Sequence, residues 1–96
     1  MSNVRILGKF QKQSAEVLDY DIDFTEWFSN REDTPVSFTA EAEAGITIVA
    51  STLVGNIVKV VLSEGVDGER YKITVLLTTS ADLVKEADFT VTIKDI

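Results

Sequence analysis

The stretch "EVLDYDIDF", Glu16 to Phe24, alternates apolar and acidic side chains. In an extended chain Leu18, Tyr20, Ile22 and Phe24 fall on one side, and Asp19, Asp21 and Asp23 on the other. Successive side chains of a strand point to opposite faces, so period two marks a half-buried strand. The spacing predicts a strand with an apolar inner face and a carboxylate face in water.

The same period returns along the chain. Val36, Phe38, Ala40 and Ala42 oppose Ser37, Thr39, Glu41 and Glu43. The stretches "GITIVA" (45–50) and "NIVKVVLS" (56–63) follow. In "RYKITVLLTT" (70–79) Tyr71, Ile73, Val75 and Leu77 share a face, as do Ala87, Phe89, Val91 and Ile93 in "EADFTVTIK" (86–94). Val, Ile, Thr and aromatic residues fit a pleated, half-buried surface. The pattern predicts Tyr20, Ile22, Phe38, Tyr71, Ile73, Phe89 and Val91 in the core, with Asp19, Asp21, Lys72 and Thr90 in solvent.

Polar turns separate these stretches. "SNREDTP" (29–35) ends in the single proline, "SEGVDGE" (63–69) holds two glycines, and "TSADL" (79–83) is a short link. "FTEWFSN" (24–30) breaks the alternation; Asp23 or Thr25 can cap one helical turn there, laying Trp27 or Phe28 over the end of the core. Short strands at this spacing predict an all-β fold: an immunoglobulin-like antiparallel β-sandwich of about seven strands, with a small barrel as the main competitor. "GERYKIT" (68–74) favours the sandwich, since a tyrosine just after a glycine turn at the start of a late strand matches a tyrosine corner.

Length and composition narrow the function. A chain of 96 residues is one domain. It contains no cysteine and no histidine, which removes thiolate chemistry and imidazole-based catalysis. No Gly-x-Ser-x-Gly or phosphate-loop spacing occurs, and no pair among the 16 acidic residues stands out as a glycosidase pair. The formal charge of −7 argues against nucleic acid and anionic membrane as partners. No apolar run approaches the length of a membrane span or a secretory leader. The chain is expected to be a non-enzyme without metal or cofactor, made in the cytoplasm.

The three aspartates fail as a calcium loop. With Asp19 first, the sixth position is Phe24 where a glycine is needed, and the twelfth is Asn30 where a glutamate is needed. On a strand, alternate carboxylates stand about 6.6 Å apart, too far to share one ion. A solvated strand face is the better reading.

Residues 1–14 form an N-terminal arm or edge strand, and residues 15–96 a single β-sandwich domain. Ile6, Leu7 and Phe10 in the arm, and Leu76 on the face opposite Tyr71, are apolar residues that the alternation leaves without a place in the core. Together with Trp27, which serves either as an interface anchor or as a plug at the open end of the sandwich, they are the candidate interface.

The ordered set of short motifs resembles the phage structural proteins known as fiber-tail adaptor proteins. Leu18, Asp19, Tyr20, Ile22, Asp23 and Phe24 carry the opening pattern, followed by Val36-Ser37, Gly45-Ile46-Thr47 and Leu62-Ser63 with Gly65. Gly68, Tyr71, Ile73, Thr74 and the pair Thr78-Thr79 complete it. Two turns depart from the pattern: its Gly-Gly after Ser63 is Glu64-Gly65 here, and its Gly-Arg after the Thr-Thr turn is Asp82-Leu83. The resemblance covers Glu16 to Ile96. It implies a virion structural protein, a tail or fiber-tail adaptor that acts by protein–protein assembly as a homo-oligomer. Its partners would be other phage virion proteins of the tail, connector or fiber. It implies no catalytic residue. The competing reading is an immunoglobulin-like binding module that decorates the capsid or recognises a host-surface ligand.

Overall fold

Each alternating stretch becomes a strand, and the arm adds two more. The computed structural model describes residues 3–96, so the first two residues of the arm lie outside the description. The elements run β1 (Arg5–Leu7), β2 (Gln11–Lys12), β3 (Leu18–Asp23), α1 (Thr25–Phe28), β4 (Pro35–Ala42), β5 (Ile46–Val54), β6 (Ile57–Glu64), β7 (Arg70–Thr79) and β8 (Val84–Ile93). They form two four-stranded sheets, in the orders β1-β3-β6-β5 and β2-β8-β7-β4.

One contact corrects the expectation of purely antiparallel sheets. β2 runs parallel to β8, with Gln11 opposite Thr92 and Lys12 opposite Ile93. The arm first lies antiparallel on β3, then crosses to the other sheet, where its direction matches that of the last strand.

The core lies where the two inner faces meet. Tyr20, Ile22, Phe24, Val58, Val60 and Leu62 of one sheet pack against Ile73, Val75, Leu77, Phe89, Val91 and Ile93 of the other. Removing one such side chain from water stabilises the fold by about 1.5–3 kcal/mol. Phe38 departs from the predicted core and is only half-buried. Its strand, β4, is the edge of its sheet and has β7 as its one neighbour, so one flank of the ring stays open. Asp21 departs in the other direction and is half-buried, because Leu7 of the arm lies opposite it.

Local chemistry closes the ends. The N-cap of α1 is Phe24, with no side-chain cap, rather than Asp23 or Thr25. Asp23 Oδ1 accepts from the Thr25 N–H at 2.9 Å just ahead of the turn, and Phe28 is buried at its end. The Tyr71 hydroxyl accepts from the Val66 N–H at 3.0 Å and so ties the start of β7 to the preceding turn. Gly45 must lack a side chain there: a Cβ would stand 2.7 Å from the Tyr71 ring, and its φ is +112°. Among the described residues, the non-glycine positions with positive φ are Glu64 (67°) and Asp82 (62°), at the two turns where the adaptor pattern expects glycine.

Candidate assembly surface

The acidic face of β3 is engaged by two partners, Lys59 for Asp19 and Asp21 and the Thr25 N–H for Asp23. Lys59 lies opposite Asp21 on β6 and reaches Asp19 Oδ2 and Asp21 Oδ1, each at 3.0 Å. The contact to Asp21 is an ion pair without hydrogen-bond alignment. The hydrogen bond from Lys59 holds the Asp19 carboxyl below its ordinary range, and the bonds from Thr25 do the same for Asp23. Among the described residues no group of three or more acidic side chains is arranged to hold a metal ion.

The arm is built onto the opposite flank of β3. Ile6 lies opposite Ile22 and packs inward, whereas Leu7 faces out and is 48% exposed. At Gly8 the backbone passes so close to Tyr20 that a Cβ would stand 2.4 Å from the ring. The Tyr20 hydroxyl donates to the Lys9 carbonyl, and burial pushes its pKa up to about 12. Phe10 then spans the gap between the sheets. Its ring lies 6.3 Å from Tyr20 and 6.1 Å, edge-on, from Phe89, which themselves stack at 5.3 Å. The Thr92 and Lys94 N–H groups donate to the carbonyls of Phe10 and Lys12 at 2.8 and 2.9 Å.

Lys12 locks the end of the arm. It is fully buried, and its ammonium donates to the carbonyls of Glu64 at 2.7 Å and Gln13 at 2.8 Å. Burial pulls its pKa below the usual lysine range, against the opposing pull of Glu16, Asp95 and Glu64. Farther along the same side, Trp27 is half-buried and packs edge-on against Phe28 at 4.9 Å. The Arg31 guanidinium lies 4.3 Å over its ring, and the Lys85 ammonium of β8 lies 5.9 Å away. Asn3, at the start of the arm, and Trp27 line the same surface pocket, so this cluster adjoins the arm.

A family of phage proteins, described as podophage GP4 fiber-tail adaptor protein gp77, matches residues 12–92. The chain belongs to this family. It is a tail adaptor, a structural component of the phage particle. No curated protein matches it. The family favours an adaptor over a capsid-decorating or host-binding module. The match starts at Lys12, so β1 and Phe10 of this adaptor lie ahead of the matched segment.

The adaptor brings together some of the residues singled out from the sequence. Ile6, Leu7 and Phe10 lie along the arm, and Trp27 is on the same side. Leu76 stands apart, on the outer face of the second sheet between Thr39 and Glu86, while the arm joins that sheet at Thr92 and Ile93. Two features of the adaptor surface were not legible. Lys12 sits in the most weakly patterned part of the chain, and its burial depends on carbonyls from the distant Glu64 turn. The open flank of β8 follows from strand order, which alternation does not encode.

Proposed function

We propose that this adaptor is an immunoglobulin-like sandwich that assembles as a homo-oligomer in the tail through its arm-bearing side. The observation that carries the reading is that Leu7 and Phe10 stay 48% and 43% exposed on an arm that hydrogen bonds and ring contacts otherwise hold in place. A segment already ordered loses little entropy on binding, and exposed large apolar groups gain by being covered. The immunoglobulin-like reading is supported by strand order. With β1 and β2 taken as one strand divided between sheets, seven strands follow the order A-B-E-D and G-F-C. Tyr71, bonded back to Val66, is placed like a tyrosine corner.

The mechanism is surface complementarity without catalysis, in which symmetry-related copies make weak contacts that sum. The partners are other virion proteins of the tail, connector or fiber. With a charge of −7, phosphate-rich partners such as nucleic acid and membrane are disfavoured. The chain is made in the host cytoplasm, with an N-terminal arm or edge strand in the 1–14 segment and a single β-sandwich domain in 15–96, and is then built into the particle.

Complementation tests this reading. A phage lacking its own copy, supplied with Leu7→Glu, should yield about tenfold fewer infectious particles, as expected for an interface weakened by about 1.4 kcal/mol. Val54→Glu, on the β5 edge and 72% exposed, should leave the yield unchanged. A full yield from folded Leu7→Glu protein would contradict the proposal.

A further inference from the structure

The sheet edges are not protected equally. β1 is three residues long, β4 starts at Pro35 and is irregular between Pro35 and Ser37, and β5 is interrupted between Ile48 and Ala50. Short strands, proline and bulges are the usual means of blunting an edge. β8 has none of these: its register with β7 is unbroken from Val84 to Thr92. β2 covers its outer flank at Thr92 and Ile93, and among the described residues no strand lies beside Val84 to Thr90.

The backbone of this stretch points outward at alternate residues. The Ile93 N–H donates across to Glu69, whereas those of Thr92 and Lys94 donate to the arm. Alternation therefore turns the N–H and C=O groups of Val84, Glu86, Asp88 and Thr90 away from β7. Glu86 and Asp88 project from the sheet face beside these groups, and their nearest cation is Lys72, 3.6 Å from Asp88. Their mutual proximity raises the Glu86 carboxyl above its ordinary pKa. If two copies paired along this edge in antiparallel fashion, their carboxylates would face each other, which is destabilising. The charges thus guard the edge against self-pairing and favour a cationic strand.

We propose that the free edge of β8, Val84 to Thr90, accepts an extended segment of a partner virion protein that carries Lys or Arg at alternate positions. Binding is strand addition: backbone hydrogen bonds give affinity, and Glu86 and Asp88 select the cationic face. The proposal rests on the assembly reading above and names the chemistry of the partner.

The test uses the full chain, isotopically labelled, titrated with a short synthetic peptide that alternates valine and lysine. Amide shifts should centre on Glu86, Asp88 and Thr90, and their hydrogen exchange should slow on binding. A peptide alternating valine and glutamate should leave both unchanged. Thr90→Pro deletes one outward N–H while keeping every carboxylate and every bond to β7, and should weaken binding about tenfold or more. The exchange measurement needs no variant, so it decides the matter even if Thr90→Pro fails to fold. Absence of binding, shifts centred on another strand, or equal binding by folded Thr90→Pro would overturn the proposal. So would self-association that Thr90→Pro abolishes, because a second copy would then be the occupant. Protein that enters tails yet ignores the peptide would refute strand addition alone and leave the assembly reading intact.

Discussion

The hydroxyl of Tyr20 donates to the carbonyl of Lys9 at the point where the arm leaves one sheet for the other. This bond ties the buried face of β3 to the segment that carries Leu7 and Phe10. Tyr20→Phe keeps the ring and removes the donor, and should lower stability by about 1 kcal/mol. It should also change the alkaline limb of the pH profile. The folded hydroxyl ionises at about 12, against an ordinary value of 10.0. The wild type therefore keeps this contribution below pH 10.0 and loses it as pH rises toward about 12. Thermal melts from neutral to alkaline pH should show a shallower decline for Tyr20→Phe.

Lys12→Met preserves the buried stem and removes the ammonium. The carbonyls of Glu64 and Gln13 would then lose a charged donor. Denaturant titration should show a loss of about 1–3 kcal/mol. An unchanged midpoint would mean that the desolvation penalty of the ammonium cancels its hydrogen bonds.

Glu64→Gly and Asp82→Gly should each stabilise the fold. Their φ angles of 67° and 62° lie in the left-handed region, which disfavours side chains. Relief of that strain should exceed the added freedom of the unfolded chain, giving about 0.5–1 kcal/mol at each site. Differential scanning calorimetry of the two variants would measure the gain.

Phe89→Ala should be the most damaging of these substitutions. The ring is stacked on Tyr20 and meets Phe10 edge-on, so its removal opens a void between the sheets and under the arm. The expected loss is about 3–5 kcal/mol by urea denaturation. A loss below about 1 kcal/mol would mean that the site collapses around the missing ring.

Much of the fold was legible because alternation reports which side of a strand is buried. "DYDIDF" is the clearest case, as Tyr20, Ile22 and Phe24 are fully buried while its carboxylates meet Lys59 and the Thr25 N–H. Alternation is silent on which strands neighbour one another. Phe38 looked like core because alternation places it on the inner face; Pro35 at the start of β4 is the one edge signal in the strand, and it does not say how far the ring is covered. The division of the arm between sheets was hidden for a related reason: β2 has two residues, too few for any period to show. Alternation leaves Leu76 outside the core just as it does the arm residues, and only strand order separates it from them.

The most direct measurement is a cryo-EM reconstruction of the assembled tail with this chain placed in density. Leu7 and Phe10 should lie against neighbouring copies and the free flank of β8 against a segment of another virion protein, with β5 turned away from the contact. A reconstruction in which the arm-bearing side faces solvent, while β4 and β5 make the contacts, would contradict assembly through the arm.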